Sequence, residues 1–241
     1  MGLFQLTFAR ILTVYIAQGV ILVVFLYLAI RILLRDRKRL NVIFAGLYIS
    51  PVVGVLMNFI YAPLTDETIV LLLNFFTNIG SIYAPIFIVV FDLILLKSEK
   101  IISTSKQLAI LIGYGIAVLC MGIFLFIPGY GVTINVGTNW TPVWSFPFFI
   151  YVVIILTSFA TIPAFYFSIK IYQKFEDEHL KKKWRFFIYG YIALMTFMYA
   201  IFISNILNNT TFRLIAGVLG LVLALLGGFL MYYGVGRQIE K

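Results

Sequence analysis

The stretch from residue 68 to residue 96 reads TIVLLLNFFTNIGSIYAPIFIVVFDLILL. All of its residues are uncharged except Asp92. A helix needs about 20 predominantly apolar residues to cross the roughly 30 Å of hydrocarbon in a bilayer. This stretch is therefore long and apolar enough to form a transmembrane helix.

Six other stretches have the same character, and together they predict a bundle of seven transmembrane helices. The predicted helices span residues 11–34, 42–63, 68–96, 107–127, 147–170, 186–207 and 212–235. The composition agrees, because 63% of the 241 residues are hydrophobic and 11% are charged, whereas soluble domains are about 45–50% apolar and about 25% charged. A soluble fold is excluded. We expect an all-α, polytopic membrane protein with a single domain at residues 1–241.

Lys and Arg residues are divided unequally between the two ends of these helices. Sixteen of the 18 fall in the loops after the first, third and fifth helices and in the C-terminal tail, whereas Arg10 and Arg213 fall at the other end. Short loops rich in Lys and Arg mark the cytoplasmic side. The expected topology therefore has the N-terminus outside the cell membrane and the C-terminus in the cytoplasm. The basic face would attract anionic lipid headgroups, so the net charge of +9 indicates no nucleic-acid partner.

Polar residues form a stripe along the third predicted helix. At about 100° per residue they fall within roughly 40° of one line. They are Asn74, Asn78, Ser81, Pro85 and Asp92. Polar groups within a membrane face protein or water, so this face is expected to point into the bundle.

The second and fifth predicted helices carry fewer polar residues, which are Ser50, Asn58, Thr157, Thr161 and Ser168. The second, third and fifth helices are therefore expected to face one another around an interior cavity. For each residue taken alone, the alternative is an ordinary hydrogen bond between helices, which contributes about 0.6 kcal/mol.

Asp92 is the only acidic residue within a hydrophobic run. An ionisable group inside a membrane is a functional candidate by default. It lies about one turn from the cytoplasmic end, however, where a snorkelling Lys97 or Arg31 could reach it. We therefore expect an ion pair in preference to proton or cation coupling.

Three prolines occupy the middles of the second, third and fifth predicted helices, at Pro51, Pro85 and Pro163. Proline removes a backbone hydrogen bond and kinks a helix, and kinks in adjacent helices open space between them. The three positions are candidate hinges. Plain packing is the alternative, since proline is common in membrane helices.

Two connecting segments are longer than the others. The outer one, at 129–146, has no charge and several aromatic residues, and its alternating pattern predicts a short hairpin over the bundle mouth. An interfacial aromatic belt is the alternative.

The inner connecting segment, at 171–185, mixes acidic and basic residues. It is expected to be a solvated helical extension and is the largest surface for a cytoplasmic protein partner.

These features predict a ligand site beneath the outer segment. Its hypothetical residues are Asn74, Asn78, Ser81, Thr157, Thr161, Trp140 and Trp144. Ligand pockets are mostly apolar with a few convergent polar groups, so we expect an uncharged or apolar ligand. A charged ligand would need a counter-charge, whereas the charged residues of the outer half are expected at the rim; these are Arg10, Asp66, Glu67 and Arg213.

The seventh predicted helix carries a small residue at every fourth position, namely Ala216, Gly220, Ala224 and Gly228. Small residues let another backbone approach closely. Packing within the bundle is favoured, and dimerisation is the alternative.

The outer loops hold three sequons, at Asn139, Asn208 and Asn209, which are either glycosylation acceptors or ordinary polar residues.

Catalytic and cofactor motifs are absent from the sequence. The seventh predicted helix has no lysine for a retinal Schiff base, and one Cys120 with one His179 cannot build a Cys/His metal centre. There is no phosphate-binding glycine loop, His-Glu-x-x-His or Gly-x-Ser-x-Gly. We therefore expect no enzyme activity, no cofactor and no metal.

The chain has seven predicted helices, an uncharged aromatic outer loop, and a fifth helix that runs into 170–185 before Phe186-Phe187-Ile188-Tyr189-Gly190. In these features it resembles the seven-helix sensor regions of prokaryotic histidine kinases. The resemblance covers the whole chain. It implies that an outer or membrane signal is passed to a cytoplasmic module. Because no kinase follows within the 241 residues, the expected output is a separate cytoplasmic protein.

Three functions compete on these observations. A sensor or receptor-like protein fits the polar interior, the prolines and the aromatic loop best. A small transporter would usually show internal repeats or buried charge pairs. A structural or assembly subunit is favoured only by the small-residue stripe of the seventh helix.

Overall fold

The computed structural model of the chain describes residues 8–35, 38–98 and 101–236. Within these ranges, seven helices are long and apolar enough to cross a membrane. They are α1 (Ile11–Arg35), α2 (Arg39–Tyr61), α3 (Glu67–Lys97), α4 (Thr104–Phe126), α5 (Phe146–Lys174), α6 (Glu178–Leu207) and α7 (Thr210–Val235). The prediction of seven apolar helices is confirmed, and it indicates a multi-pass membrane protein. Four of the basic residues counted above lie outside the described residues, namely Arg37, Lys100, Arg237 and Lys241.

Five of the helices change their hydrogen-bond pattern along their length. A turn at Phe8–Arg10 leads into α1, which is a π-helix over Ile11–Ala17 and an α-helix over Gln18–Arg35. α3 is divided into Glu67–Tyr83 and Ile86–Lys97, and α4 passes from an α-helix at Thr104–Leu119 to a 3₁₀-helix at Cys120–Phe126. α5 contains a π-helical turn at Thr157–Thr161 between Phe146–Leu156 and Ile162–Lys174. α7 is α-helical over Thr210–Met231 and π-helical over Tyr232–Gly236.

α3 lies at the centre of the bundle and α4 at its margin. Within their most apolar windows, 67% of α3 is buried inside the protein, compared with 17% of α4. α3 packs against α2, α4 and α5, whereas α1 contacts α2 and α7, and α6 contacts α5 and α7. The polar stripe therefore lies on the helix that has the most protein around it.

Aromatic rings fill the core where α2, α3 and α6 meet. The ring centroids of Phe44, Phe91 and Phe187 lie 5.0 to 6.2 Å apart. Such pairs contribute about 0.5–1.5 kcal/mol beyond the burial of their area. Tyr48 extends this cluster, and its hydroxyl donates to the carbonyl oxygen of Gly228 on α7 at 3.0 Å. The core thus joins helices that are distant along the chain.

The segment between α4 and α5 forms the hairpin that its alternating pattern predicts. Strand β1 (Val132–Thr133) pairs antiparallel with β2 (Val143–Trp144), and a 3₁₀ turn at Val136–Thr138 lies between them. We call this end of the bundle, where α1 and α7 begin, the hairpin end. The opposite end, which holds the loops after α1, α3 and α5, is called the basic end.

Two pairs of glycines let neighbouring helices touch backbone to backbone. A Cβ atom at Gly80 of α3 would lie 2.7 Å from the nitrogen of Gly54 on α2. A Cβ atom at Gly190 of α6 would lie 2.7 Å from the carbonyl oxygen of Gly227 on α7. The predicted small residues of α7 also lie on buried surface within the chain; they are Ala216, Gly220, Ala224 and Gly228.

Candidate ligand-binding site

A row of hydrogen bonds runs from the α3 stripe to the last residue of α2 at the hairpin end. Asn78 Nδ2 donates to Asn74 Oδ1 at 3.1 Å, and Asn74 Nδ2 donates to the hydroxyl oxygen of Tyr61 at 2.9 Å. All three side chains are buried. Among the described residues, the Tyr61 O–H finds no acceptor of its own. The row therefore ends in an unused donor.

Two arginines lie beside this row. Arg10 Nη1 donates to the carbonyl oxygen of Asn139 at 2.9 Å, and Arg213 Nη2 donates to that of Pro142 at 3.0 Å. Both guanidinium groups interact electrostatically with Tyr61. Arg10 is only 7% exposed, so it faces protein rather than the solvent of an open rim. Burial lowers the pKa of Arg10, but a guanidinium titrates so far above neutral pH that it stays charged.

The two tryptophans of the predicted site are buried in protein, at 5% exposure for Trp140 and 3% for Trp144. Trp144 packs against Phe148 of α5 and Phe202 of α6, with ring centroids 5.0 Å away in both pairs. Asn139 and Trp140 both have left-handed backbone conformations, with φ values of 49° and 55°. Such conformations are costly for non-glycine residues. The hairpin is therefore an anchored, locally strained cap, and its tryptophans do not form an aromatic belt.

The two threonines of the α5 stripe meet a tyrosine that the sequence analysis missed. The hydroxyl of Tyr199 on α6 lies 2.6 Å from Thr157 Oγ1 and 3.0 Å from Thr161 Oγ1. No hydrogen bond among the described residues joins this group to Asn74 or Asn78. The predicted ligand-binding residues thus fall into separate polar clusters.

Asp92 lies fully buried between α3, α5 and α6, toward the basic end. Ser168 donates to Asp92 Oδ2 at 2.5 Å, and Trp184 Nε1 donates to the carbonyl oxygen of Ser168 at 2.8 Å. Within the part of the chain that the structure describes, Oδ1 of Asp92 has no hydrogen-bond partner. The expected ion pair is wrong, because Lys97 and Arg31 are exposed and neither pairs with the carboxylate.

Pro85 divides α3, and a residue of α2 compensates for the break. The N–H of Ala84 bonds to the carbonyl oxygen of Ser81 at 3.4 Å, as in a tighter turn. The carbonyl oxygen of Gly80 instead accepts a hydrogen bond from Ser50 Oγ at 2.7 Å. The hydrogen bond from Ser50 therefore stabilises the kink at the place where α2 and α3 cross closely.

The other predicted hinge and stripe residues behave differently. Pro51 lies inside an α-helix that runs unbroken from Arg39 to Tyr61, whereas Pro163 is the second residue after the π-helical turn of α5. Ser81 is half-buried and donates to a carbonyl of its own helix. Asn58 donates to the side chain of Gln18 on α1 at 2.6 Å, so it does not face α3 and α5.

Two surface grooves of the described structure lie away from these clusters. One runs between α2 and α3 and is lined by Ser50, Met57, Phe76, Gly80 and Tyr83 among others. The other lies beside the start of α7. Neither groove is lined by the predicted ligand-binding residues.

Sequence reasoning missed Tyr61 and Tyr199 and misplaced Arg10. A tyrosine has the periodicity of an apolar residue and is common near membrane interfaces, so its hydroxyl leaves no signal of its own. Arg10 lies at the end of a span, where an outward direction is the default. In the structure it instead donates to the carbonyl oxygen of Asn139, a hairpin residue 129 positions away in the sequence.

Comparisons with known protein families, curated proteins and solved structures find no match to this chain.

Proposed function

We propose that this chain is a stand-alone seven-helix sensor of the cell membrane, with the hairpin end outside and the basic end in the cytoplasm. A small ligand would bind at the hairpin end, and a separate cytoplasmic protein would recognise segment 171–185. The orientation rests on the unequal distribution of Lys and Arg. The function rests on a path of contacts that joins the hairpin to α5 and α6.

The observation that carries this proposal is a continuous path of contacts from the hairpin to α5 and α6. Trp144 packs on Phe202, and the Phe202 ring lies 6.2 Å from that of Tyr199. Tyr199 in turn bonds to the two threonines that bound the π-helical turn of α5, Thr157 and Thr161. A movement of the hairpin would therefore reach an irregular turn in the middle of a transmembrane helix.

Toward the basic end, the contacts lead to segment 171–185, the surface that a cytoplasmic partner would bind. Below the π-helical turn, the carbonyl oxygen of Ser168 accepts the indole N–H of Trp184. Trp184 is buried and stacks on Phe187 at 4.5 Å between centroids. It thus fixes the start of α6 and the short connection from Lys174 to Glu178. A change in the α5 turn would shift this segment.

The π-helical turn is the proposed two-state element. Such turns are frequent at functional sites, and coupling between distant sites requires an element whose equilibrium both sites bias. In α5 the turn ends at Thr161, and Pro163 two residues later has no backbone N–H to donate to a regular helical hydrogen bond. Conversion of the turn to a regular α-helix would rotate the lower half of α5 against α6.

A labelled variant tests the proposal. Cys120→Ala with His179→Cys carries an environment-sensitive fluorophore at the basic end, and ligands found by thermal-shift screening of lipids, quinones, amphiphiles and charged metabolites are then added. We expect a change of fluorescence in this protein, a much smaller change after Tyr199→Phe, and an unaltered change after the lipid-facing control Tyr189→Phe. Binding without any fluorescence change in the parent protein would reject the sensor.

A small transporter is the second candidate, and Asp92 favours it. A buried carboxylate without an ion pair among the described residues is a common feature of proton and cation pathways. In proteoliposomes, a transporter would move a bound ligand in response to a pH or sodium gradient, and Asp92→Asn would abolish the movement. A sensor would show no flux.

A further inference from the structure

At the hairpin end, we infer an anion-binding site formed by Arg10, Arg213 and Tyr61, whose occupant carries an oxyanion group, either a carboxylate or a phosphate. The inference names the ligand class for the outer site of the proposed sensor, and it rests on that function only for the location of the ligand entrance. It replaces the sequence-based expectation of an uncharged ligand, which assumed that the charges at this end lie at the rim.

Among the described residues, this site has an excess of hydrogen-bond donors over acceptors. The N–H of Arg213 Nε is buried and has no partner within the described residues, and the O–H of Tyr61 has no acceptor there either. The amides of Asn74 and Asn78 are oriented so that each donates toward Tyr61. A carboxylate or phosphate offers only acceptors, so it would satisfy donors that the protein leaves unused.

The balance of charge at this end of the bundle also favours an anion. The sequence places only two acidic residues here, Asp66 and Glu67. Both are exposed, and the carboxylate of Asp66 caps the N-terminus of α3 through the N–H of Ile69 at 3.0 Å. Arg213 pairs with neither of them. A partly buried cation that lacks a counter-ion is costly, and an anion beside Arg213 would remove that cost.

The two guanidinium groups bond to the same short segment of the hairpin. Arg10 and Arg213 bond to carbonyl groups three residues apart, at Asn139 and Pro142. They also interact electrostatically with one another. Two guanidinium groups held close together in this way repel each other. A shared anion would turn this repulsion into attraction, and a guanidinium matches the geometry of a carboxylate or phosphate with two parallel hydrogen bonds.

The test measures anion binding by thermal shift on the purified full chain at constant ionic strength. Benzoate and inorganic phosphate are compared with chloride, and nanodiscs of phosphatidylcholine are compared with nanodiscs that contain phosphatidylglycerol. Stabilisation by the free anions indicates a soluble ligand. Stabilisation only by phosphatidylglycerol assigns the site to a lipid headgroup. If neither stabilises the protein, the anion site is wrong.

Variants show whether the effect arises at this site. We expect Arg213→Gln to weaken binding about 10- to 100-fold and Tyr61→Phe to weaken it by a smaller factor, since hydrogen bonds to charged groups are the strong ones. The matched control Arg31→Gln removes the same charge from an exposed position at the basic end and should have no effect. If Arg213→Gln fails to fold, the anion affinities of Arg213→Lys and Tyr61→Phe are measured in its place. Equal affinity in all variants would overturn the inference.

The two proposals fail in different ways. Anion binding without a fluorescence change at position 179 supports the anion site and rejects the sensor. An uncharged ligand that changes the fluorescence, in a protein that no anion stabilises, supports the sensor and rejects the anion site.

Discussion

Replacement of Gly80 by alanine inserts a methyl group into the closest contact between α2 and α3. The new Cβ would lie 2.7 Å and 2.8 Å from the nitrogen and Cα of Gly54 and 2.8 Å from the carbonyl oxygen of Ser50. All three are backbone atoms, so no side-chain rotation relieves the overlap. The helices must separate by roughly 0.7 Å to restore an ordinary contact. Overpacking of this kind costs about 1–3 kcal/mol.

The separation has a second cost. It would lengthen the 2.7 Å hydrogen bond from Ser50 Oγ to the Gly80 carbonyl oxygen, which contributes about 0.6 kcal/mol in a membrane bundle. Alanine favours a helix over glycine by up to about 1 kcal/mol, which would offset part of the loss of stability in Gly80→Ala. The control is therefore Gly113→Ala in α4, because a Cβ there would have no neighbouring atom within 4 Å and only the helix preference would change.

We expect the melting temperature of Gly80→Ala in detergent, followed by tryptophan fluorescence, to fall below that of Gly113→Ala by several degrees. The scale is about 2–4 °C for each kcal/mol in a chain of this length. Gly113→Ala should equal or exceed the parent protein. Equal melting temperatures for the two variants would refute the close crossing of α2 and α3.

Two further predictions concern topology and the buried acid. In a Cys120→Ala background, single cysteines at Thr138 and His179 should react with a membrane-impermeant thiol reagent from outside and from inside respectively, since the Lys and Arg distribution sets the orientation; labelling of both from one side contradicts the topology. Asp92→Asn should change stability by less than about 1 kcal/mol, because an amide oxygen can still accept from Ser168 and no ion pair is broken. A loss of about 3–5 kcal/mol by thermal or denaturant unfolding would instead reveal a buried ion pair.

The seven helices could be predicted because length and apolar content are properties of the sequence alone. Their ends could not be predicted with the same accuracy. The sixth was expected from residue 186, yet α6 begins at Glu178. Hydropathy marks where lipid contact ends, whereas backbone hydrogen bonding continues through the basic turns at Lys181 and Arg185 into the connection to α5.

The inward direction of Asn74 and Asn78 follows from helical periodicity, and both side chains are buried. Their partner could not be found in this way, because Tyr61 belongs to another helix and no period relates the two. The same limit explains why the ion pair expected for Asp92 was wrong. The sequence shows two basic residues within snorkelling reach, but the direction in which each helix faces depends on the packing of α3 against α5 and α6.

The contacts that hold the hairpin also make it a competitor for the site beneath it. The carbonyl oxygens of Asn139 and Pro142 occupy guanidinium N–H groups that an incoming anion would use. As these carbonyls belong to the same chain, their effective concentration is high, and the proposed anion would have to displace them before it formed all of its hydrogen bonds. If the chain is the proposed sensor, the hairpin would set a threshold ligand concentration below which no signal is produced. The left-handed backbone at Asn139 and Trp140 would lower that threshold, because release of the hairpin would let the backbone relax.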